Sequence, residues 1–470
     1  MKMWFQWLVK TNVGRAVLLA PDPPLSRVLP DHFDPDPRLQ ALLDRLTGYY
    51  PRGIDPGLER TLRLLEDLGN PHLSLPPVIH VAGTNGKGSV IAYLRAMFEA
   101  AGKTCHVMTS PHLVRFNERL VLSGNEMSTP AILDLFNEVE QVNHGQETTS
   151  FELITAAGFL AFSRNPADVT LVEVGMGGQF DATNVIPNPL LSIINVISRD
   201  HTKFLGHAYR EIAFEKGGII KPHVPCVVGP QIHPEVMDVF DQIAQDQNAP
   251  LLRHGAEWSF DVLPDKIMVH SGENIFDFPH PNLVGSHQFG NAALAAVAML
   301  SIADRFEDPV GLSAMERGLV SARWPARLQK ISRGPLIDLL PDGYELWIDG
   351  GHNDSCGQAL SEQAKTWRDR DGKDLHLILG MLTTKDPLEF FEPLAPYARS
   401  VHAITIPDQP LSFEGTDLSS VLGRSYAGSI YPAEGLEVSI RHILSITSAP
   451  CRILVTGSLY LMGAVLSRHE

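Results

Sequence analysis

Residues 83–89 form a glycine-rich segment whose residue types bind phosphate. The segment reads Gly83-Thr84-Asn85-Gly86-Lys87-Gly88-Ser89 and follows an apolar run, residues 78–82, that predicts a short β-strand. Glycines allow successive backbone N–H groups to face an anion, a helix starting near Lys87 adds its positive end, and the lysine adds a full charge. The Ser89 hydroxyl is suited to a Mg²⁺ ion that bridges phosphates. The segment therefore predicts a phosphate loop, with a glycine-rich turn that binds no nucleotide as the alternative.

Two later predicted strands also end in polar residues. Glu173 stands within the apolar run 169–174, before a glycine-rich turn, and Asp200 and His201 follow the run 190–197. Open α/β sheets bind their ligands at the carboxyl ends of the strands. A buried carboxylate without a partner is costly, so Glu173 is a candidate Mg²⁺ ligand; the alternative is a carboxylate bonded to the following glycine N–H groups. His201 is a candidate metal ligand or phosphate contact.

Two further motifs carry charged groups. Glu215 and Lys216 lie in a predicted helix, residues 211–220, where they could form an ion pair in an apolar setting or an ordinary surface pair. Asp349 and His352 follow a predicted strand, residues 346–349, in a turn that exposes one acid and one histidine. This second acid-histidine turn would not be expected in a simple nucleotide switch protein, and the chain also lacks the Asn-Lys-x-Asp element of guanine-specific switches.

The elements that must position these residues alternate between strands and helices. This order predicts an α/β fold with a mostly parallel sheet covered on both faces. The strand candidates are residues 104–108, 169–174, 190–197 and 224–228, and the helix candidates between them include 131–142, 152–162 and 234–245. Residues 258–278 predict short antiparallel strands, and a helix over 287–303 follows.

A second alternating series begins after residue 322 and predicts a second, smaller Rossmann-like α/β domain. Its strand candidates are residues 346–349, 375–380, 401–406 and 453–457. We therefore expect a first domain over residues 34–321 and a second over 322–470. Residues 1–33 lack the order of charge, apolar run and cleavage site of a signal peptide, and we expect a poorly ordered leader there.

Composition excludes several classes of function. The net charge of −16 argues against a nucleic-acid partner, and the absence of a run of about 18 apolar residues argues against a membrane span. The four cysteines are far apart in the 470-residue chain, as expected of buried thiols in a reducing cytoplasm. We expect a cytoplasmic monomer.

The chain resembles the folylpolyglutamate synthases, in particular the bacterial bifunctional type that is also a dihydrofolate synthase, within the Mur ligase superfamily. The extra Gly88 between Lys87 and Ser89 is itself typical of these ATP-dependent amide ligases. The matching segments span nearly everything from the phosphate loop onward: residues 83–89, 110–113, 117–119, 151–152, 173–184, 200–202, 215–220, 287–293, 349–353, 380–386 and 457–461. Departures are Gly217, Ala326 and Gly351, where the family more often has alanine, glycine and alanine.

The resemblance implies roles for individual residues. Mg²⁺, as two ions, would be held by Ser89, Glu173, His201 and a carbamylated Lys216. ATP would be bound by the phosphate loop together with Asn291, Arg327, Asp349 and His352, and Lys87, Lys216 and His352 would be catalytic. The pterin-containing substrate and the incoming glutamate would contact His112, Arg115, Arg119, Phe151, Lys385 and Ser458.

The implied reaction joins L-glutamate to dihydropteroate, to a tetrahydrofolyl polyglutamate, or to both. Because a carboxylate is a poor electrophile, the ATP γ-phosphoryl group would first convert it to an acyl phosphate, with release of ADP and then phosphate. The alternatives are a monofunctional folylpolyglutamate synthase and a Mur-type cell-wall ligase. Only 82 residues precede Gly83, which leaves no room for the separate substrate domain of a Mur-type ligase.

Overall fold

The computed structural model describes residues 34–50 and 55–468. The leader expected at residues 1–33 lies outside the described residues. Among the described helices, none combines the length and apolar character needed to cross a bilayer.

An eight-stranded sheet with the order β4-β3-β2-β5-β1-β6-β7-β8 forms the centre of the first half of the chain. The neighbouring strands in the run β2-β5-β1-β6-β7-β8 pair in parallel. Strands β3 and β4 are antiparallel additions at the β2 edge. The mostly parallel sheet expected from the sequence is confirmed. Its strands are β1 Val78–Ala82, β2 Cys105–Met108, β3 Leu120–Leu122, β4 Asn125–Glu126, β5 Val169–Glu173, β6 Leu191–Ile194, β7 Cys226–Val228 and β8 Leu251–Arg253.

Helices cover both faces of this sheet, because its central strands are apolar on both sides. Side chains of β1 alternate between the two layers: Ile79 and Val81 join one core and Val78 joins the other. The helices of this half are α1 Pro37–Gly48, α2 Glu59–Asp67, α3 Lys87–Ala100, α4 Thr129–Asn143, α5 Ser150–Arg164, α6 Thr202–Leu205, α7 Tyr209–Gly217, α8 Pro234–Gln247, α9 Ser286–Ile302 and α10 Leu312–Ser321.

Two predicted boundaries in this half are wrong. The helix expected over 211–220 ends at Gly217, because Gly218 packs against the turn after β5; a Cβ there would lie 2.4 Å from Gln179 Cα. Strand β6 ends at Ile194, earlier than expected, although Asn195 N still donates to Ala82 O at 2.9 Å. The predicted antiparallel segment is present as β9 Trp258–Val262, β10 Lys266–Ser271 and β11 Asn274–Pro279.

A six-stranded sheet with the order β12-β13-β17-β14-β15-β16 forms the second half of the chain. Its pairs are parallel except for β12 with β13. Strand β16 was not predicted, and its Pro432 fits the edge position that it occupies. The elements are β12 Gln329–Ile331, β13 Glu345–Asp349, α11 Asp354–Asp371, β14 Leu375–Leu379, α12 Pro387–Phe391, β15 Ala398–Ile404, α13 Gly415–Leu422, β16 Ser429–Ala433, α14 Leu436–Ile446, β17 Arg452–Thr456 and α15 Leu459–Leu466.

The carboxyl ends of the two parallel sheets face each other. Asp349, Leu379 and Thr456 are in register at the ends of β13, β14 and β17. The loops that follow β13 and β14 contact the loops that follow β1 and β6 of the first sheet. Elsewhere, α15 lies against the loop after β2 so closely that a Cβ at Gly463 would be 2.1 Å from Leu113 O. Some of the site residues predicted from the two halves, Lys385 of the second and the phosphate loop of the first among them, therefore lie on facing edges.

Candidate active site

The phosphate loop connects β1 to α3 and is held by backbone contacts. Gly83 and Gly86 have φ values of 144° and 77°, which favour glycine. A Cβ at Gly86 would lie 2.2 Å from Asn195 Nδ2 and 2.6 Å from Asn291 Oδ1, so no larger residue fits there. Thr84 N donates to Val196 O at 2.9 Å, which fixes the loop to the segment after β6.

Lys87, the first residue of α3, is folded back over the loop. Its Nζ donates to Gly83 O at 3.2 Å and to Thr84 O at 3.3 Å, and it lies 3.8 Å from Glu173 Oε1. The ammonium group therefore lies over the glycine turn, where a bound anion would meet both its charge and the start of a 14-residue helix.

The extra Gly88 has a steric reason. A Cβ at this position would lie 2.3 Å from Cζ2 of Trp324, whose indole ring covers the start of α3. Trp324 comes from the segment between the two sheets and was not predicted as a site residue. Its contact with Gly88 explains why a glycine separates Lys87 from Ser89.

Ser89 is buried and is hydrogen-bonded to a series of side-chain amides, two of which lie on α9. Gln288 Nε2 donates to Ser89 Oγ at 3.3 Å, Asn291 Nδ2 donates to Gln288 Oε1 at 3.1 Å, and Asn195 Nδ2 donates to Asn291 Oδ1 at 2.8 Å. Asn291 was predicted as a site residue, whereas Gln288 and Asn195 were not. This series of amides fixes the orientation of the Ser89 hydroxyl and places Asn291 against the phosphate loop.

Glu173, at the end of β5, is a buried carboxylate beside the loop. Its Oε2 accepts from Ser110 N at 3.2 Å. Burial raises the pKa of Glu173, and the nearby charge of Lys87 partly offsets this rise. The alternative in which the following glycine turn satisfies Glu173 is wrong: it is Asp181 that accepts from Met176 N at 2.8 Å and from Thr183 N at 3.0 Å.

Lys216 on α7 is buried, and its Nζ donates to Gly83 O at 3.1 Å. The surface-pair interpretation of the Glu215-Lys216 dipeptide is therefore wrong, because Lys216 is buried. The charge of Glu215 acts on the pKa of Lys216, but the lysine Nζ donates its hydrogen bond to Gly83 O. Burial, together with the nearby charge of Lys87, lowers the pKa of Lys216 to about 7. A large fraction of its amine is neutral at neutral pH, as an amine nucleophile requires.

His201 and Asp200 lie in the loop between β6 and α6. His201 caps α6 with a left-handed φ of 51°, and its side chain is 43 % exposed. Within residues 34–50 and 55–468, no group of three or more His, Cys, Asp or Glu side chains could hold a metal ion. The predicted ligand set contains two such residues, Glu173 and His201, with Ser89 and Lys216 supplying the others.

Side chains from the second half of the chain contact Asp200 of the first half. Lys385 Nζ donates to its Oδ1, and His352 Nε2 lies 3.4 Å from its Oδ2. His352 Nδ1 donates to Gly350 O at 2.9 Å. Burial acts to raise the pKa of Asp200, but the hydrogen bond from His352 and the charges of His201 and Lys385 outweigh it and hold this pKa well below its usual range. Asp200 was not predicted as a site residue.

Arg327 and Asp349 belong to two loops that are bonded to each other. Asp349 accepts from Leu328 N at 2.9 Å and from Gly351 N at 2.7 Å. Arg327 stands between Ala326 and Leu328, whose φ values of 57° and 42° are both left-handed. Gly351, where the family more often has alanine, has no room for a side chain, since a Cβ would lie 2.9 Å from Cys356 Cβ.

The predicted substrate residues are spread over several places. Arg119 Nε donates to His112 Nδ1 at 2.8 Å in a buried pair, and Phe151 lies over Gly175, where a Cβ would be 2.5 Å from its Cζ. Ser458 Oγ accepts from Tyr460 N at 3.2 Å and caps α15. Arg115 lies elsewhere: it bonds Glu126 and lines a cavity of about 370 Å³ whose lining includes no residue of the phosphate loop.

The chain is similar to known proteins over most of its length. A family model described as the Mur ligase middle domain matches residues 81–299. The dihydrofolate synthase/folylpolyglutamate synthase of Bacillus subtilis is 32 % identical over 432 residues, which cover 88 % of this chain and 95 % of the relative.

Solved structures are similar along nearly the whole chain. Escherichia coli FolC in complex with DHPP and ADP superposes with a TM-score of 0.79 at 28 % identity, covering 91 % of this chain and 96 % of that one. A bifunctional folylpolyglutamate synthase/dihydrofolate synthase with Mn, AMPPNP and L-glutamate bound has a TM-score of 0.77 at 26 % identity, with 91 % and 97 % covered.

Proposed function

The chain belongs to the dihydrofolate synthase/folylpolyglutamate synthase family, and on that premise we propose that it uses ATP to join L-glutamate to dihydropteroate and to tetrahydrofolyl polyglutamates. It is an ATP-dependent amide ligase, and its products besides the amide are ADP and phosphate. The observation that carries this function is the convergence of Lys87, Glu173 and Lys216 on one glycine turn that faces His352 and Lys385 from the other sheet.

ATP binds at the phosphate loop. We assign its phosphates to the backbone and hydroxyl groups of residues 83–89, with Lys87 as the cation over the turn. Asn291 contacts the loop directly, and Arg327, Asp349 and His352 approach from the second half to complete the nucleotide site. The contacts of Asp349 with Leu328 N and Gly351 N support its part, because they hold the Arg327 loop against the turn that carries His352.

Divalent metal use is shared with relatives whose structures hold Mn with AMPPNP. We propose two Mg²⁺ ions, held by Ser89, Glu173, His201 and a modified Lys216. Hydroxyl, carboxylate and imidazole donors suit Mg²⁺ or Mn²⁺, and the buried Glu173 carboxylate gains a cation that it needs. Bound there, the metal would neutralise charge on the phosphates.

Lys216 is the residue that we expect to carry a carbamate. Its neutral amine can attack CO₂ to form an N–C bond, and loss of one proton leaves an anionic carbamate. Burial supports this modification, because it lowers the pKa of the amine to about 7. The carbamate would add an oxygen donor beside Glu173 and reduce the positive charge near Lys87.

The two organic substrates approach from different sides. We propose that the pteroate or folate substrate lies near His112, Arg115, Arg119 and Phe151, with the Phe151 ring available for stacking. The incoming glutamate lies near Lys385 and Ser458 on the second sheet. The substrate carboxylate attacks the γ-phosphorus of ATP, and ADP leaves as the bond to the bridging oxygen breaks. The glutamate amine then attacks the carbonyl carbon of the acyl phosphate, and the amide forms as phosphate leaves and the nitrogen gives up a proton. Closure of the two halves over the substrates would exclude water that hydrolyses the acyl phosphate.

We further propose that residues 34–321 and 322–470 are the two domains, and that the enzyme is a cytoplasmic monomer. The separation of the two parallel sheets supports the boundary, since β12 to β17 share no strand with the first sheet. The four free cysteines support a reducing compartment.

The test is incorporation of labelled L-glutamate by the purified enzyme with ATP and Mg²⁺, using dihydropteroate or tetrahydrofolate as acceptor. Label in both products, with ADP formed in equal amount, is the expected result. Label in only one product would reduce the function to a single synthase activity. Lys87→Ala is expected to lose at least 100-fold in turnover, on the order of one lost transition-state charge contact. Full turnover by this variant would contradict the site assignment.

A further inference from the structure

Asp200 is a nearly buried acid on which three side chains of the second sheet converge. Its side chain is 12 % exposed. Lys385 Nζ donates to Oδ1, His352 Nε2 lies 3.4 Å from Oδ2, and Asn353 Nδ2 donates to Oδ2 at 3.4 Å. A single carboxylate of the first sheet thus contacts two loops of the second sheet at once.

The position of these residues in the fold makes the contact conditional on closure. Asp200 follows β6, His352 and Asn353 follow β13, and Lys385 follows β14, all at carboxyl ends of parallel strands. The groups can meet only when the two carboxyl edges face each other. Lys385 is 16 % exposed, so its ammonium group would be left without its charge partner in a largely dehydrated place if Asp200 lost its charge.

A second set of contacts lies beside the first and joins the phosphate loop to α11. Asn85 Nδ2 donates to Asn353 Oδ1 at 3.0 Å and to Ser355 Oγ at 2.5 Å. Ser355 Oγ in turn donates to Ser198 Oγ at 3.0 Å. These groups are uncharged, so their hydrogen bonds act only at short range. The carboxylate of Asp200, by contrast, attracts the Lys385 ammonium group across the gap between the two halves.

We infer that Asp200 is a positioning residue that holds the two halves in register and so directs His352 and Lys385 toward the phosphate loop. The inference rests on the proposed function, because the reaction needs groups from both halves. Asp200 touches neither ATP nor the acyl acceptor in this role. It acts through the two second-sheet side chains, and its loss leaves the phosphate loop intact.

An exposed ion pair between the same two halves of the chain provides a matched control. Arg199, the neighbour of Asp200, lies 3.9 Å from Glu389 on α12, and the two side chains are 45 % and 49 % exposed. An exposed ion pair of this kind contributes little, because water screens it. Glu389→Gln therefore removes a charge pair between the loop that carries Asp200 and helix α12 of the second half without removing the buried contact.

The experiment compares Asp200→Asn, Lys385→Met and Glu389→Gln with the unaltered enzyme by hydrogen exchange and steady-state kinetics. We expect Asp200→Asn and Lys385→Met to raise amide exchange in residues 195–201 and 350–357 and to lower kcat about 100-fold, the scale of a small misplacement of reacting groups. The far-ultraviolet circular dichroism of Asp200→Asn at the assay temperature should match that of the unaltered enzyme, which separates lost positioning from lost folding, and Glu389→Gln should match the unaltered enzyme in every measurement.

Because Asp200 adjoins His201, Mn²⁺ binding to the ADP complex is measured as well. Unchanged Mn²⁺ affinity with lowered kcat supports positioning, whereas Mn²⁺ affinity that falls in parallel with kcat overturns it in favour of a role at the metal. Unaltered exchange in Asp200→Asn also overturns it. If the unaltered enzyme makes no glutamylated product, the proposed function fails, and the exchange comparison still decides the role of Asp200.

Discussion

The Nζ atom of Lys216 donates a hydrogen bond to the carbonyl oxygen of Gly83 at 3.1 Å, although 133 residues separate them in the chain. This contact ties α7 to the first residue of the phosphate loop. It also places the amine whose pKa is lowered to about 7 where a nucleotide and its metal would lie.

Carbamylation of Lys216 should depend on pH in a defined direction. A pKa lowered to about 7 means that the amine is neutral above pH 7 and protonated below it. At fixed dissolved CO₂, the initial rate of carbamate formation should be roughly four times higher at pH 8 than at pH 6.5. Carbon-13 NMR with labelled CO₂ measures this rate.

The matched control for this measurement is Lys221, a second lysine with a lowered pKa of about 8 that donates to Asn184 O at 3.1 Å. Lys216→Arg should remove the carbamate signal and Lys221→Arg should retain it. A signal that persists in Lys216→Arg would assign the carbamate to another amine.

Gly88→Ala should weaken nucleotide binding by a steric route. The added Cβ would lie 2.3 Å from Trp324 Cζ2, so either the indole ring or the phosphate loop must move. We expect at least a tenfold rise in the KM for ATP, on the order of the 1–3 kcal/mol cost of overpacking. Kinetics at varied ATP concentration measure it.

Removal of the Trp324 indole ring should restore ATP binding to the Gly88→Ala variant. Gly88→Ala combined with Trp324→Ala should have a lower KM for ATP than Gly88→Ala alone. Gly311→Ala, at a glycine where an added Cβ would have no neighbour within 4 Å, should bind ATP like the unaltered enzyme. A double variant as defective as the single one would show that Trp324 is not the cause.

Ala326→Gly should stabilise the protein. Ala326 is buried with a φ of 57°, a conformation that costs a non-glycine residue about 1 kcal/mol and that glycine adopts freely. The free energy of unfolding in urea should rise by about 1 kcal/mol. Ala322→Gly, at a buried alanine outside the left-handed region, should instead lower it. A loss of stability in Ala326→Gly would contradict the strain assigned to this loop.

Stability should fall on the acid side because of a buried histidine on β15 that bonds a partly buried histidine on α14. His402 is fully buried on β15, its Nε2 bonds His442 Nδ1 at 2.9 Å, and desolvation lowers its pKa to about 4. The unfolded state binds this proton from about pH 6.5 downward and the folded state does not, so the contribution is complete above pH 6.5 and lost as pH falls toward 4.

Substitution of His402 should remove most of this pH dependence of the unfolding free energy. His402→Gln should reduce the loss of unfolding free energy between pH 6.5 and 4 by about 3 kcal/mol, which urea unfolding across this range measures. An acid limb of the same slope in His402→Gln would assign the effect to other groups.

Much of the fold and part of the site were predictable because their signals are local. The apolar run before Gly83, the glycines and Lys87 lie in one short segment, and each residue acts through its own backbone or its immediate neighbours. Glu173 was predictable because a carboxylate inside an apolar strand requires a partner. The roles proposed for Lys216 and His352 come from the resemblance to known ligases, because no local pattern distinguishes these residues from an ordinary lysine or histidine.

The remaining features depend on contacts between distant segments. The contact of Trp324 with Gly88 and the bond of Gln288 to Ser89 arise only when the chain is folded. Asp200 stands beside a residue that was predicted, yet its importance comes from Lys385, 185 residues later. A one-dimensional pattern contains no information on such pairings.

The tight packing of Gly463 on Leu113 has a consequence for the segment that carries His112 and Arg119. Helix α15 rests on the backbone beside His112, to which Arg119 donates, so a residue larger than glycine at position 463 would displace the segment that carries two of the side chains proposed to contact the acyl acceptor.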